Sequence, residues 1–588
     1  MAMRSRVVIP ALIMLVCRLA PAWGATSVMV QDFEKVSLPP TVWVVNIPNE
    51  NAAVQWSTNQ SHDGKQCLKL HYHFVGTGDF QYLGIPNQVR IQAPVHALRF
   101  WLKGDNSKCS YGVQVSDASG ETHQYSKNSG QGGTIDFTGW KEVAIDLEAG
   151  HETWGGDKNG KLDCPITAIT FTVGQPKENE QRVAIESDLS FDALCVESER
   201  SAEETLGCQV SVIAPVYCSD VKGNTTVTLS APGIKSVTVK CWKQGHGFGA
   251  DSTVATVTLD ARGGGSFIFP ADAYPHGPIT MRISGENGTV RDNCYLQLYN
   301  QGGVSWNEGM PQEPPPAAKG MSLVFADDFK GPLSISSTDP RATYYDHKPP
   351  GGWQDFSTLR FTSFDQPNNP FGQVDSYLRI RASEKARSAG LISSMKNDAS
   401  GITARAPCYF ECRFMGPNAI GTWPAFWLLT DYMTDHVQGI KVPCDELDII
   451  EAYGGEGPRA PNAFDTYMIC PHAWEQGEAG KAIEKKAYDG LHNPIHMRKF
   501  GIPSTWFETF HTYGCKITET DTIYYCDNLE VGRHETLPLS RQKPFFFLIN
   551  LATGGGWPVD LSRYNGLADM YVDYVRVYGG AGASPHPQ

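Results

Sequence analysis

Short β-rich runs bounded by turn residues recur along this chain, and they limit the fold more than any other feature. Examples are the runs 96–103, 226–229 and 571–578, and the first is followed by Gly104-Asp105-Asn106. Such runs with frequent turn signals are typical of all-β sandwiches. Beyond residue 320 a sustained helical period is almost absent, so a large two-sheet sandwich with one concave face is the economical fold there. The expected fold class is all-β.

Length and composition divide the chain into several domains. A chain of 588 residues is too long for one ordinary core, and about three or four domains are expected. The proline-rich stretch 311–316 should be extended and semi-rigid, which marks a boundary. The predicted segments are a signal peptide (1–24), a first β-sandwich (25–200), an immunoglobulin-like β-sandwich serving as a spacer (207–300), a linker (301–320), the large sandwich (321–580) and a disordered tail (581–588).

The N-terminus carries the pattern of a secretory signal. Arg4 and Arg6 precede the apolar run 7–16, and Ala22-Trp23-Gly24 places small residues where a signal peptidase reads them. We expect cleavage near Gly24 and a secreted, extracellular protein, with a periplasmic or cell-surface location or a retained anchor as alternatives. No later run approaches the roughly 20 apolar residues of a membrane span. The mature chain is therefore expected to have no span, and to be a monomer.

The cysteines indicate an oxidising compartment. Fourteen of the 15 cysteines follow Cys17, and they fall in even numbers within each predicted β-sandwich, which favours disulfides within domains. Cys515 and Cys526 flank a predicted hairpin and are candidates to pair, whereas Cys408 and Cys412 lie too far apart along one strand. The remaining connectivity is open.

The net charge limits the partners of the protein. A formal net charge of −14 argues against nucleic acid or an anionic membrane surface, because both are bound chiefly through Lys and Arg. The same charge weighs mildly against a heavily sulfated substrate.

The stretch Glu446-Leu447-Asp448-Ile449-Ile450-Glu451 forms the candidate site. In a regular strand Glu446 and Asp448 share one face, while Glu451 points to the other. A β-bulge in which Ile449 and Ile450 occupy one pleat position would bring the three acids to one face, and bulges are frequent beside active sites. Paired carboxylates on a concave, aromatic-rich face suit the cleavage of a glycosidic bond. Three acids in six residues also occur by chance, so the surrounding motifs must decide.

Motifs on both sides of the acids carry a family resemblance. In chain order they are Gly421-Thr422-Trp423-Pro424-Ala425-Phe426-Trp427-Leu428-Leu429, Phe510-His511-Thr512-Tyr513, Tyr524-Tyr525-Cys526-Asp527-Asn528, Asn550-Leu551-Ala552-Thr553-Gly554-Gly555-Gly556-Trp557-Pro558 and Tyr571-Val572-Asp573-Tyr574-Val575-Arg576-Val577-Tyr578. With the acid stretch among them, residues 322–578 resemble the catalytic domain of glycoside hydrolase family 16, and in particular the laminarinase-type endo-β-1,3-glucanases. The resemblance implies a β-jelly-roll, a concanavalin-like sandwich, with a substrate cleft.

The resemblance implies a role for each acid. Glu446 would be the nucleophile, Glu451 the general acid/base, and Asp448 the residue that orients and tunes the nucleophile. Members of the family retain the anomeric configuration, which requires a covalent glycosyl-enzyme intermediate. Three neighbouring acids cannot all ionise freely, so Glu451 is expected to hold a proton near neutral pH. The expected activity is endo-hydrolysis of β-1,3- or mixed β-1,3/1,4-glucan, with no catalytic cofactor.

Candidate sugar-binding residues flank the acids. Trp423, Trp427 and Trp557 are candidate platforms, since an indole face covers the apolar face of a pyranose. Packing in the core explains Trp427 equally well. The resemblance implies that His472 stands beside the acid/base, with a loop histidine as the alternative. Asn550 hydrogen-bonds either a sugar or the sheet.

Structural calcium is implied by resemblance in two places. Residues 25–200 resemble the jelly-roll carbohydrate-binding modules of secreted polysaccharide-degrading enzymes, in which acids on the first and last strands often hold calcium. The matching acids are Asp32, Glu34 and Asp192. In the family 16 region the oxygen ligands would come from Asp573 with Asp327 or Asp328.

Several alternatives remain open. Within the family, the substrate could be agarose, carrageenan, porphyran or a β-galactan, or the enzyme could be a transglycosylase. Outside the enzymes, the chain could be a non-catalytic β-glucan-binding protein, although such proteins typically lack one or both catalytic glutamates. An adhesin is a further candidate. The segment 470–474 and the long polar insert 475–503 depart from the usual family pattern, which leaves the cleft rim and the substrate undecided.

Overall fold

The computed structural model describes residues 26–580 with internal gaps. The residues outside the description are 1–25, 35–39, 77–78, 118, 179–180, 207–209, 243–250, 288–289, 305–308, 350–355, 432–442, 456–464, 477–481, 485–491, 556–558 and 581–588. The predicted signal peptide 1–24, the predicted tail 581–588 and Trp557 therefore lie outside the described residues.

The N-terminal module, residues 26–206, is a sandwich of two antiparallel sheets. Its elements are β1 (Thr26–Gln31), β2 (Trp43–Val45), β3 (Ala52–Ser57), β4 (Cys67–Phe74), β5 (Tyr82–Ile91), β6 (Ala97–Asp105), β7 (Ser110–Ser116), β8 (Glu121–Tyr125), β9 (Gly133–Thr134), β10 (Thr138–Asp146), β11 (Glu152–Gly155), β12 (Ile166–Gly174), β13 (Lys177–Glu178), β14 (Gln181–Arg182), β15 (Ile185–Ser198) and α1 (Ala202–Leu206). One sheet runs β10-β6-β15-β4-β3 with β1 on β15, and the other runs β11-β8-β7-β12-β5-β2 with β9 on β7. Buried residues alternate strictly with less buried ones along β6, because one face of each sheet packs into the core of the sandwich.

The middle module, residues 210–300, is a smaller sandwich. Its strands are β16 (Ser211–Ala214), β17 (Asp220–Val221), β18 (Asn224–Ser230), β19 (Ser236–Trp242), β20 (Asp251–Thr258), β21 (Gly264–Pro270), β22 (Gly277–Asn287) and β23 (Val290–Asn300). They form a three-stranded sheet, β16-β18-β21, and a five-stranded sheet, β17-β23-β22-β19-β20.

The C-terminal module, residues 322–580, holds the largest sheet. Its strands are β24 (Ser322–Asp327), β25 (Arg360–Phe361), β26 (Phe371–Val374), β27 (Tyr377–Ser383), β28 (Ser388–Ser393), β29 (Cys408–Met415), β30 (Thr422–Thr430), β31 (Cys444–Glu451), β32 (Thr466–Gln476), β33 (Ala482–Glu484), β34 (Asn493–His496), β35 (His511–Ile517), β36 (Asp521–Cys526), β37 (Leu529–Glu535), β38 (Phe545–Thr553) and β39 (Leu567–Gly579). Single 3-10 turns lie at Asn49–Asn51, Lys127–Ser129, Ala271–Ala273, Pro316–Ala318, Met497–Phe500 and Ser562–Tyr564. The described chain is thus all-β, as the sequence predicts.

One strand joins the two layers of the C-terminal module. The hydrogen-bonded path runs β33-β32-β31-β30-β38-β28-β27-β39-β29-β35-β36-β37. Within it, β27 and β28 share only the pair Ser383 and Ser388, while β28 pairs along four residues with β38. The sheet therefore turns a corner at β28. The predicted two-sheet sandwich is one sheet folded over on itself, with β30, β31 and β38 in the layer that carries the acids.

The middle module packs directly on the C-terminal module. The Gln297 amide donates to the Asp569 carbonyl at 2.8 Å, and the Arg563 guanidinium contacts the buried Asp292 at 2.7 Å. Tyr217 packs edge-on against Tyr564, with ring centroids 4.9 Å apart. Buried side chains of the two modules form one continuous hydrophobic cluster. The prediction of a simple spacer is therefore incomplete, because this module shares a core with its neighbour.

No disulfide joins any of the 13 described cysteines that follow Cys17. The sequence instead predicts disulfides within domains. Strand register gives the reason for the one pair that was named: across β35 and β36, Cys515 faces Tyr524 and Cys526 faces Tyr513. The two cysteines are offset by two positions, so that prediction is wrong.

None of the described helices has the length and apolar character needed to cross a membrane.

Candidate active site

The three acids lie on β31, whose register contains the predicted bulge. Opposite β30, Ile450 pairs with Phe426 and Asp448 pairs with Trp427, so Ile449 is the extra residue. A second shift occurs on the other side, between Asp448 and Glu451 opposite β32. The structure therefore confirms the bulge at positions 449–450, and the parity of the strand changes there.

The bulge brings all three acids to one face of the sheet. Their partners on β30 are Leu429, Trp427 and Ala425, and these belong to a hydrophobic cluster that is separate from the main core. Leu447, Ile449 and Ile450 belong instead to the main core. The intervening aliphatic residues anchor the strand, and the acids project from the opposite surface.

Each acid has its own hydrogen-bonding side chain. The Trp474 indole Nε1 donates to Glu446 Oε2 at 2.9 Å. His472 Nε2 lies 3.1 Å from Asp448 Oδ2. Glu451 Oε1 accepts from Trp423 Nε1 at 3.0 Å and from the Tyr453 hydroxyl at 3.3 Å. The carboxylates are therefore held in distinct orientations, which a reaction with separate roles for two acids requires.

Burial and mutual repulsion favour protonation of two of the acids. Asp448 is only 3% exposed, and its burial, followed by the charges of Glu451 and Glu446, raises its pKa well above the usual range against the opposing effect of His472. Burial also raises the pKa of Glu451, and a hydrogen bond from the Cys470 thiol opposes this. A carboxyl with a raised pKa can act as a general acid.

His472 lies beside the middle acid of the three. It contacts Asp448, whereas the resemblance implied a place beside the acid/base. Its ring stacks on Trp474 and meets the ring of His492 at 4.6 Å. The insert 475–503 supplies His492 and two short strands, β33 and β34, that extend the sheet beyond β32. The insert therefore builds one side of the site.

The two described candidate tryptophans lie on the face that carries the acids and differ in exposure. Trp423 is partly exposed, stacks on Tyr453 and contacts Phe356. Trp427 is 5% exposed, and its Nε1 donates to Asn550 Oδ1 at 2.8 Å. The structure therefore favours the core reading of Trp427.

Asn550 supports the tryptophans. It is 1% exposed, and its Nδ2 donates to the Trp423 carbonyl at 3.1 Å. Of its two predicted roles, the structure favours hydrogen bonding within the sheet. Asn550 ties the buried Trp427 side chain to the backbone of Trp423.

Three residues of the site escaped the sequence-based prediction. These are Trp474, Tyr453 and Cys470, which contact Glu446 or Glu451. For two of them the sequence holds a signal, because Cys470 and Trp474 each lie two positions from His472, on one face of one strand. The ligand atoms of Asp448, Cys470 and His472 also lie within 4.8 Å of one another, a spacing that a metal ion could bridge.

The calcium ligands implied by resemblance have other partners. Asp573 pairs with Arg413, Asp327 accepts from the Tyr344 hydroxyl at 2.8 Å, and Asp328 pairs with Lys330. Each of these carboxylates thus has a side-chain partner of its own, and the shared calcium site stays a prediction.

In the N-terminal module the acids implied as calcium ligands bind backbone groups. Asp32 Oδ1 accepts from its neighbour Glu34 N. Glu34 Oε1 accepts from two amides, at positions 65 and 66, and Asp192 Oδ2 from those at 62 and 63. Glu34 and Asp192 thus hold one loop from two sides.

Comparisons with known proteins find similar glucanases. No family model matches the chain. It is 31% identical over 219 residues to the endo-1,3-1,4-β-glycanase EglC of Rhizobium meliloti (strain 1021), covering 36% of this chain and 40% of that protein. It is 29% identical over 221 residues to the endo-1,3-1,4-β-glycanase ExsH of the same organism, with the same coverage. The chain thus spans about two-fifths of the length of these relatives.

A solved structure of a non-specific endo-β-1,3(4)-glucanase from family GH16 has a TM-score of 0.33 and 20% identity, covering 46% of this chain and 98% of that one. The acid stretch with its bulge, the flanking motifs and the glucanase relatives agree. In part of its length this chain is similar to proteins named β-glycanase or β-glucanase, and the domain that carries the acids resembles glycoside hydrolase family 16.

Proposed function

We propose that this protein is a secreted, endo-acting retaining glycoside hydrolase that cleaves β-1,3- or mixed β-1,3/1,4-glucan by double displacement. One observation carries the proposal. Three carboxyl groups share one face of β31, and each has a different hydrogen-bonding side chain: Trp474, His472 and Trp423. Retaining cleavage of a glycosidic bond needs two carboxyls in fixed, different roles.

In the first step Glu451 acts as the acid. Its raised pKa lets it hold a proton, which passes to the glycosidic oxygen as the bond to the anomeric carbon breaks. Glu446 attacks the anomeric carbon and forms a covalent glycosyl ester. The indole of Trp474 holds one oxygen of Glu446, so that carboxylate meets the sugar in a single orientation.

In the second step the roles of Glu451 reverse. Its carboxylate takes a proton from water, the hydroxide attacks the anomeric carbon, and the ester bond to Glu446 breaks. Asp448 stands between the two glutamates with His472 on its carboxylate. We assign Asp448 and His472 positioning roles, because they adjust the charge and the orientation of the glutamates rather than bonding to the sugar carbon.

The proposed substrate is a neutral β-glucan. Relatives named endo-1,3-1,4-β-glycanases support this choice, and so does the net charge of −14, which suits an uncharged polysaccharide better than a sulfated one. Trp423, partly exposed and hydrogen-bonded to Glu451, is the proposed platform next to the cleaved bond. We further propose that residues 25–200 bind polysaccharide and that the chain is exported after cleavage near Gly24.

The test is a reducing-sugar assay on laminarin, lichenan, agarose and carrageenan. We expect new reducing ends from laminarin or lichenan, and loss of this activity to background in Glu446→Gln. The matched control is Glu530→Gln, because Glu530 is a surface glutamate paired with Arg533 at 2.6 Å in the same module. Activity on agarose or carrageenan alone would move the proposal to another β-glycan. Full activity in Glu446→Gln would refute the assigned roles.

A further inference from the structure

A second cluster of chemically active side chains lies in the N-terminal module. Asp117 begins the turn between β7 and β8, and Glu121 and His123 lie two positions apart on β8, so these two share one face. All three are fully buried, at 0% exposure. One ligand atom from each lies within 4.8 Å of the others.

Within the cluster, one carboxylate oxygen has no hydrogen-bond partner among the described residues. Asp117 Oδ1 accepts from the backbone N–H of Ser119 and of Glu121, and its Oδ2 accepts from the N–H of Asp163. Glu121 Oε2 accepts from the N–H of Gly160 at 3.1 Å. Glu121 Oε1 is buried and finds no hydrogen-bond partner among the described residues. A buried carboxylate oxygen without a partner is costly, so something must satisfy it.

The histidines fix which ring nitrogen faces the acids. His151 Nδ1 lies 2.9 Å from the Ala149 carbonyl, so that nitrogen must carry the proton. Its Nε2 then accepts from His123 Nδ1 at 3.0 Å. The lone pair of His123 Nε2 therefore points toward Asp117 Oδ2 at 3.3 Å and Glu121 Oε2 at 4.0 Å.

Three electron-pair donors that face one another need a positive charge between them. A proton on His123 Nε2 would bond one carboxylate and leave Glu121 Oε1 unsatisfied. A metal ion would engage both carboxylates and the imidazole at once. Metal-binding histidines usually donate their other ring N–H to a second group, as His123 does to His151.

We propose that Asp117, Glu121 and His123 bind a divalent transition-metal ion of the zinc class. In a tetrahedral zinc site with bonds of about 2.0–2.2 Å, ligand atoms lie roughly 3.3–3.5 Å apart. The His123 Nε2 to Asp117 Oδ2 distance of 3.3 Å matches this spacing. The imidazole ligand favours zinc over calcium, which takes oxygen ligands.

The site would fasten a loop to the end of one sheet. Amides of Gly160 and Asp163 already bind the two carboxylates, so the loop that follows β11 lies directly over the cluster. A metal ion beneath it would couple the loop to β8. The module should then be more stable with the metal than without it, since the ion binds only the folded state.

The test compares metal content across variants of the full-length protein. Protein stripped with a chelator is loaded with zinc, desalted and analysed for bound metal, and folding is checked by circular dichroism. We expect Glu121→Gln and His123→Gln to hold one zinc ion fewer per chain than the wild type. The matched control is His71→Gln, because His71 also faces two acids, Asp188 and Glu186, but is half exposed. It should hold as much zinc as the wild type.

Equal zinc content in the wild type and in both folded cluster variants would overturn the proposal. If either variant fails to fold, X-ray absorption of the zinc-loaded wild type decides. A site with nitrogen and oxygen ligands supports the proposal. Zinc bound through a sulfur ligand, or no bound zinc, refutes it, because each of the two other histidine-containing clusters of the described chain includes a cysteine, Cys470 or Cys526.

Discussion

The hydrogen bond from Trp423 to Glu451 should set the alkaline limit of activity. Trp423 Nε1 donates to Glu451 Oε1 at 3.0 Å and therefore stabilises the ionised carboxylate. Trp423→Phe keeps an aromatic ring and removes the donor. Loss of a hydrogen bond to the charged form raises the pKa of an acid. Because the acid must be protonated to act, the alkaline limb of the pH profile should move to higher pH.

The size of this effect follows from the geometry. A hydrogen bond to a charged group is worth about 1.5–3 kcal/mol when it is buried. Here Trp423 is partly exposed, and the Cys470 thiol and Tyr453 hydroxyl still contact Glu451. We therefore discount the value by about half for solvent screening. The remaining 0.7–1.5 kcal/mol corresponds to a factor of roughly 3 to 12 in the ionisation equilibrium of Glu451.

The assay is kcat/KM on a soluble β-glucan oligosaccharide across pH. Weaker sugar stacking would lower the whole curve, whereas a lost donor moves its alkaline limb, so the two roles of Trp423 separate. The matched control is Tyr453→Phe, which removes the longer bond of 3.3 Å to the same oxygen and should move the limb less. A limb that stays in place, or moves to lower pH, in folded Trp423→Phe would refute the reasoning.

Three further predictions concern stability. Because the pKa of buried Asp448 is raised, the folding stability of the wild type should fall as pH rises above the usual carboxyl range. Asp448→Asn should lessen this fall and raise the unfolding free energy by about 0.5–2 kcal/mol at neutral pH, measured by denaturant titration, while activity drops. Arg563→Met removes the 2.7 Å ion-pair partner of buried Asp292 and should lower the unfolding free energy by about 3–5 kcal/mol in the same titrations. The double variant Arg563→Met/Asp292→Leu should recover much of this lost free energy. Trp427→Phe leaves Asn550 Oδ1 without its donor and should lower the unfolding free energy by about 1–3 kcal/mol; an unchanged midpoint would contradict its assigned place in the core.

Features encoded by local periodicity could be predicted from the sequence. The all-β class follows from the two-residue period of runs such as β6. The bulge at Ile449 and Ile450 follows from parity alone, because only an extra residue brings Glu451 to the face of Glu446. These inferences need no knowledge of which strands are neighbours.

Features that depend on strand register and on contacts between distant residues could not be predicted from the sequence. Cys515 and Cys526 look like a pair along the chain, but the register of β35 and β36 offsets them by two positions. The contact of Trp474 with Glu446 requires β32 to lie beside β31. The contact between Arg563 and Asp292 joins residues 271 positions apart. Neighbour order in the sheet, not local pattern, decides each of these contacts.

The assignment of Glu446 as nucleophile is the central claim, and trapping the covalent intermediate tests it most directly. A β-glucan disaccharide carrying fluorine at C2 and a good leaving group should react with the enzyme and release the glycosyl ester slowly, because fluorine slows the second step. Mass spectrometry of the digested protein then locates the modified residue. We predict one glycosyl group on Glu446. Modification of Glu451 or Asp448 instead, or turnover with inverted anomeric configuration and no adduct, would contradict the account.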